Sequence, residues 1–378
     1  MWLALVVLAG GCKSGGDAVD SSPGSWTPSV PQADQPFETL DAYGMVRWDP
    51  QTSALEYNEG VLPYTLNTPL FSDYTTKRRA VYLPPGESAG FVDEGVLEFP
   101  VGTVILKHFL LPADLRAPDT ELRLLETRVL IRQAEGWEQW PYTWAEDGSG
   151  AELDKGGEVL SLSTIDLEGA PLSFTYLVPQ KNQCAECHLI ADSPGDTAAE
   201  AHTVVPIGPT ARNLNRDFGY TDGVANQLER WAELGLLADL PAVEDIGAAT
   251  VDAADLDLET ATPEQVEQAA RDYLDINCAH CHRPEGVNGV SSQLFLNHDN
   301  QDPHSLGVCK KPGSAAGGTG GFTYDIVPGK PEESILIYRM ETDDLGSIMP
   351  LLGRSLVHQE GNALVSQWIA NMEPVPCE

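Results

Sequence analysis

Two five-residue motifs carry the chemistry of this chain. CAECH groups Cys184, Cys187 and His188, and CAHCH groups Cys278, Cys281 and His282. Two thiols at this spacing can form thioethers to the vinyl groups of a haem, and the adjacent His can turn beneath the ring and ligate iron. With seven Cys and eight His in 378 residues, only ~0.003 such motifs would arise by chance. Cys-x-x-Cys pairs also build zinc ribbons, but Cys187 and Cys278 lie about 90 residues apart, far beyond ribbon spacing. A thioredoxin-like dithiol would need a βαβ context, which the pattern around neither motif supplies. Two covalently bound haem c groups are therefore expected, with His188 and His282 as iron ligands.

The second ligands are less evenly specified. A helical run leads into CAHCH, a Gly-rich loop follows, then Met349-Pro350, then a second helical run. This order resembles the class I cytochrome c fold, in which a Met beyond the loop supplies the sixth iron ligand. It makes Met349 the expected ligand opposite His282, with Met340, inside the helical run SILIYRM, as its competitor. His/Met ligation raises the potential and fills both axial sites, which suits electron transfer. CAECH has no such grammar. A strand-like run precedes it, and no Met occurs between His188 and Met340. His202 is one candidate distal ligand or else a surface residue of a polar stretch; Met45, His108 and Lys77 are weaker candidates, and an open iron is the remaining possibility.

The other cysteines point outside the cytoplasm. Met1 to Gly11 holds a short apolar run, WLALVVLA, too short to span a bilayer, before Gly10-Gly11-Cys12. It resembles a bacterial lipoprotein signal over residues 1–12, with Cys12 as the lipidated anchor; a plain cleaved signal is the alternative. Residues 13–36 are rich in Gly, Ser, Pro and Asp and read as a flexible tether. Cys309 and Cys377 remain, either as a disulfide, which an exported chain permits, or as separate thiols.

The elements that must hold the motifs divide the rest of the chain. Residues 37–179 alternate short apolar runs with Gly, Pro and Asp clusters and read as an all-β, sandwich-like domain, with Trp137, Trp140 and Trp144 filling its core. Residues 180–261 are expected to form a first, helical haem-binding segment; there Leu228, Trp231, Leu234 and Leu237 recur at helical spacing. Residues 262–378 are expected to form a cytochrome c-like helical domain. Thr262-Pro263-Glu264-Gln265 supplies an N-cap, a first-position Pro and a capping-box Gln, and further helices are expected over 331–340 and 357–372. The fold class that follows is α+β multidomain, an N-terminal β-domain followed by α-helical haem domains.

Charge narrows the partners. Twenty-two Lys and Arg against 57 Asp and Glu give a net charge of −35. Such a surface disfavours nucleic acid and would attract proteins with basic docking faces, unless the acidity serves solubility alone.

Longer stretches resemble a family of predicted bacterial diheme c-type cytochromes, conserved hypothetical proteins with a β-rich N-terminal domain. The carrying segments include PYTLNTPLFSDYTTKRR (63–79), FPVGTVILKHF (99–109), LLETRVLI (124–131), IGPTARNLNRD (207–217), YLDINCAHCHRPEG (273–286) and IMPLLGRS (348–355). The resemblance implies two haems and a periplasm-side location; it implies no reaction. Within it, Asn67, Ser72, Asp73, Tyr74, Lys77, Arg78 and Arg79 either attend a haem or form a turn and an exposed basic edge. Arg212, Asn213 and Asn215 either line the first haem or end a helix. Transfer of electrons between periplasmic redox proteins is the leading expectation. A peroxidase- or oxidase-like enzyme with an open first haem is the alternative. A third reading makes the β-domain a binding module that the haems report on.

Overall fold

A computed structural model describes residues 26–32, 35–194, 202–287, 290–315 and 318–378. The expected signal with Cys12, and most of the expected tether, lie outside the described residues. Of that tether, Trp26 to Gln32 runs along the β-domain, where the Trp26 and Gly44 carbonyls both accept from the Asn58 amide.

The centre of the molecule is a six-stranded antiparallel sheet in simple meander order: β1 Val61–Tyr64, β2 Thr76–Tyr82, β3 Val104–Pro112, β4 Leu122–Gln133, β5 Gly136–Trp144 and β6 Ala151–Leu153. Side chains alternate between faces along each strand. One face is mainly apolar: Leu106, Val129, Trp140 and Trp144 pack under the turn Leu40–Tyr43 and the hairpin Val46–Tyr57, with His108 and Thr127 buried among them. The other face is divided. Ile105, Leu130 and Trp137 meet helical residues at one end. At the other end Phe109 and Leu125 meet Tyr176 and Val178 of the hairpin Glu158–Val178. The three Trp therefore fill cores on both faces of one sheet.

Six helices occur among the described residues: α1 Ala185–His188, α2 Ala211–Leu214, α3 Gln227–Glu233, α4 Pro263–Asn277, α5 Ile335–Glu341 and α6 Gln359–Asn371. The expectation of α-helical, cytochrome c-like haem domains is overturned. Strand accounts for 28% of the structure and helix for only 20%. Between residues 180 and 261 the helices are one or two turns long and alternate with the antiparallel strand pair Leu189–Ala191 and His202–Val204 and with the hairpin Asp217–Asn226. The physical reason is legible: apolar runs here are short and punctuated by Gly, Pro and Asn, and Ile190, Thr203 and Val204 prefer cross-strand pairing. Past α4, long irregular segments separate α5 and α6. The expected helix over Leu228–Leu237 stops at Glu233; Leu228 and Trp231 are buried, Leu234 is exposed, and Leu237 pairs as a strand with Ala89. The β-rich character of the N-terminal part agrees with the sequence.

The longest helix begins as its cap predicts. The Thr262 hydroxyl accepts from the Gln265 amide and the Gln265 side chain accepts from the Thr262 amide, a pair worth about 1 kcal/mol. Val266, Ala270 and Leu274 then pack on Leu364, Trp368 and Ile369 of α6. Gly361 permits this close approach: a Cβ there would meet the Tyr273 ring at 2.4 Å. Cys309 and Cys377 form a disulfide that ties the chain's end to the loop before α5. One core joins sheet residues Tyr64 and Ile105 to Leu228, Trp231, Ile246 and Ile276, so the sheet and the later segments share packing.

Candidate haem sites

The second motif sits at the end of α4. The Cys278 carbonyl accepts from the amides of Cys281 and His282, a tight turn that carries Cys281 and His282 back over Cys278. His282 is then fixed: its carbonyl accepts from the Leu296 amide, and the Ser292 hydroxyl lies 3.3 Å from its Nδ1. Burial pushes its pKa down to about 4, so the ring is neutral near pH 7, as a metal ligand must be. Beside the motif lies a cavity of about 260 Å³ lined by Cys278, Cys281, His282, Met340 and Met349 and by apolar Leu294, Leu336 and Leu352. Two thiols, an imidazole, thioether sulfurs and an apolar lining fit a haem. Both Met340 and Met349 reach the cavity; Met340 also packs in the core from α5, whereas Met349 stands on a loop.

That loop is held from two sides. Arg354 donates to the carbonyls of Met349 (2.8 Å), Arg339 (3.0 Å), Thr342 (3.2 Å) and Leu356 (3.3 Å). From the β-domain, the Asp73 carboxylate accepts from the amides of Ser355 and Leu356, and the Ser72 hydroxyl donates to the Gly353 carbonyl. Tyr74 hydrogen-bonds Glu360, and Phe71 stacks on His358 at 4.1 Å between centroids. Residues 71–74 thus clamp the Met349 loop, a role the sequence left open. Asn67, Arg212, Asn213 and Asn215 instead knit the joint between sheet and helices. The Arg212 carbonyl accepts from the Asn67 amide, and the Arg212 guanidinium pairs with Asp272 at 2.8 Å. The Asn213 carbonyl accepts from the Asn67 backbone amide, and the Asn215 amide reaches the carbonyls of Val243 and Ile246.

The first motif rests on the divided face of the sheet. Gln180 and Gln183 cap the turn Lys181–Cys184, which runs directly into α1. His188 places its Nδ1 2.7 Å from the Val205 carbonyl. A carbonyl can only accept, so Nδ1 carries the proton and Nε2 keeps its lone pair, the tautomer an iron ligand needs. Burial, with a contribution from the Lys107 charge, holds His188 near 4. Burial pushes the Cys184 thiol up, against the pull of Arg128. A haem fits the donors here too.

The candidates for the ligand opposite His188 are scattered. Strand pairing sets His202 across from Ala191, about 10 Å along the strand pair from His188. Met45 belongs to the apolar face of the sheet, and His108, buried with its Nδ1 on the Thr127 hydroxyl, points to that same face. Lys77 lies on the motif's face, its ammonium 6.0 Å from the centre of the Phe109 ring. Arg78 points away, its guanidinium donating to the Ser53 carbonyl.

The two motifs touch. The Cys187 and Cys281 sulfurs and a His280 nitrogen lie within 4.8 Å of one another, and the Cys281 thiol donates to the Glu186 carbonyl at 3.2 Å. The contact is built by the backbone: Ile190, just past CAECH, bridges to Gly286, just past CAHCH, and the Glu285 carbonyl accepts from the Ala191 amide. Gly286 is required there, since a Cβ would meet the Cys281 carbonyl oxygen at 2.0 Å. Cys187, Cys281 and His280 are also soft donors suited to zinc, and thioether formation at the same sulfurs would preclude that use. Neither this contact nor the roles of His280, Lys107, Arg128 and Arg354 follow from motif spacing. A lone cation inside an apolar strand, as in VILKHFLL, was the available signal.

No family model, no curated protein and no solved structure matches this chain.

Proposed function

We propose that the chain is a diheme c-type cytochrome, exported and lipid-anchored through Cys12, that passes electrons between redox proteins outside the cytoplasm. The observation that carries this reading is the contact between Cys187 and Cys281, which puts two covalent attachment points side by side. A two-centre relay needs that adjacency. Haem supplies the one-electron chemistry. The protein's own residues tether it at Cys184, Cys187, Cys278 and Cys281, orient His188 through Val205, exclude water with Leu294 and Leu336, and present Met349. The Cys309–Cys377 disulfide suits an oxidising compartment. No helix among the described residues is long and apolar enough to cross a membrane; the proposed anchor is Cys12. The acidic surface favours partners with basic faces, bound less tightly as salt rises.

The test is haem stoichiometry. Pyridine haemochrome against protein concentration should give two haems per chain, and Cys184→Ala with Cys187→Ala should give one. A chain matured with the haem-attachment machinery that carries zinc and no haem would overturn the reading. An enzymatic second reading, with an open first iron, is supported by the distance of His202, Met45 and His108 from His188. It requires that cyanide or carbon monoxide bind to one haem and leave the other unchanged; no binding at either would remove it.

A further inference from the structure

The divided sheet face poses a problem that the haem motifs do not solve. Strand register puts Arg79, Lys107 and Arg128 in one cross-strand row. Like charges directly opposite one another in a sheet are destabilising. This row lies between two apolar patches, on the face that carries the first motif. Lys77 joins it: the charged groups of Lys77, Lys107 and Arg128 lie 6.0, 4.9 and 4.3 Å from the centre of the single Phe109 ring.

The available counter-charge is already engaged. Glu126 binds Arg128 through both oxygens, at 2.9 and 2.7 Å, and also accepts from the Tyr176 hydroxyl. Asp73 accepts from the amides of Ser355 and Leu356. Lys77 donates to the Thr75 carbonyl, and the Lys107 ammonium makes no hydrogen bond among the described residues. Two deeply buried donors on this face are also unpartnered: the Arg79 Nη2 atom, in a residue 4% exposed, and the Gln139 amide nitrogen, in a residue 6% exposed. Arg79 and Gln139 come from neighbouring cross-strand rows. The Arg79 Nη2 atom, the Gln139 amide nitrogen and the Lys107 ammonium, all left without acceptors, call for an anion. In a chain of net charge −35, gathering four of 22 cations at one place is a costly arrangement that a bound anion would relieve.

We infer that Arg79, Lys107 and Arg128, flanked by Lys77 and Gln139, form a carboxylate-binding site on the sheet beneath the first CxxCH motif. Planar guanidinium forks and a mobile ammonium match a carboxylate's two oxygens. The charge of Lys107 reaches His188 and that of Arg128 reaches Cys184, so the site adjoins the first motif. Two sources offer this chemistry: a propionate of the haem held at Cys184 and Cys187, which rests on the two-haem reading, or a free small carboxylate.

Lys107→Met and the conservative Lys107→Arg separate them in the protein as isolated, with circular dichroism to verify folding. If the carboxylate is free, calorimetric titration with acetate at constant ionic strength gives saturable binding, weakened about tenfold or more in Lys107→Met and restored in Lys107→Arg. If it belongs to the haem, acetate gives no heat, but the propionate bending bands in the resonance Raman spectrum shift in Lys107→Met and return in Lys107→Arg. Neither response in a folded Lys107→Met protein overturns the site. Should Lys107→Met fail to fold, Gln139→Leu takes its place in the same measurements, with the same two expected results and the same overturning one. Haem quantification keeps the two hypotheses apart: a chain lacking haem at Cys184 and Cys187 sinks the two-haem reading, and acetate binding alone then decides the site.

Discussion

Replacing Arg354 with Met should detach Met349 from its working position while leaving Met340 in the core. Arg354 donates to four carbonyls, among them that of Met349 itself. A hydrogen bond from a charged donor is worth about 1.5–3 kcal/mol, but these are not additive. One of the four is long, the side chain is half-buried, and water can reach part of the loop. A net loss of about 2–4 kcal/mol in the loop's preference for its folded position is the reasonable range, a factor of about 30 to 1,000 in that equilibrium. Met340 is anchored separately, by α5 packing on α4 and α6. With haem held at the second motif and Met349 as its ligand, as proposed, the Met-to-iron charge-transfer band of the oxidised protein should weaken or vanish in Arg354→Met, and the potential should fall as that ligation is lost. Met349→Ala should reproduce both effects and Met340→Leu neither. If Arg354→Met keeps the band and the potential while Met340→Leu loses them, the assignment of Met349 and the bracing role of Arg354 are both wrong.

The clamp from the β-domain gives a companion result. Asp73→Ala strands two backbone amides and should cost about 2–4 kcal/mol by denaturant unfolding, whereas Asp73→Asn, which keeps an acceptor oxygen, should cost clearly less. Removing the disulfide by Cys309→Ser with Cys377→Ser should lower stability by about 4 kcal/mol on loop-entropy grounds, and thermal melts with and without reductant should converge in the variant. His108, fully buried, has its pKa pushed down by desolvation to about 3 from 6.5. The folded state therefore holds fewer protons than the unfolded chain between those values. The contribution of His108 to stability is complete above pH 6.5 and is lost as pH falls toward 3, by about 5 kcal/mol at most. His108→Gln should flatten the stability profile across that window; an unchanged slope would place the titration elsewhere.

What the sequence disclosed and what it concealed follow from the range of the interactions involved. The α4 cap was legible because Thr262, Pro263 and Gln265 act within one turn. The two Cys-x-x-Cys-His motifs stand out in the sequence because their three residues are adjacent; that they hold haem is the proposal made above. The β-character of residues 37–179 was visible in period-two runs, but whether they make one sheet or two depends on what covers each face. Here helical residues and a hairpin cover what a second sheet would have covered. The helical expectation for residues 180–261 failed because a single amphipathic stretch, Leu228 to Leu237, was extended to a whole segment. Half of that stretch forms a helix, and Leu237 pairs with Ala89, almost 150 residues earlier in the chain. His202 looked like a neighbour of His188 by sequence distance, yet strand register carries it to the far end of a strand pair. The clamp by residues 71–74 spans more than 280 positions and has no local signature.

The inequality of the two motifs has a structural cause. CAHCH lies inside one chain segment that supplies most of its cavity lining, both candidate Met ligands and the Cys309–Cys377 disulfide; Phe71, Glu186 and Cys187 complete the lining, and Asp73 pins the loop. CAECH brings only two short turns and a strand pair, and takes everything else from elsewhere: the cation row of the sheet below it and the loop after CAHCH beside it. Its position is therefore the sum of two long-range contacts. The Ile190–Gly286 bridge fixes how far CAECH stands from CAHCH, and the Arg79–Lys107–Arg128 row fixes what charge lies under it. The first of these determines whether two bound haems could exchange electrons quickly. The second biases whatever binds at His188 toward a negative partner, because oppositely charged groups in so desolvated a place interact much more strongly than in water. A site with its distance and its charge set by different parts of the chain can be tuned in one without the other, and that separation is what distinguishes CAECH from CAHCH, most of whose lining comes from its own segment.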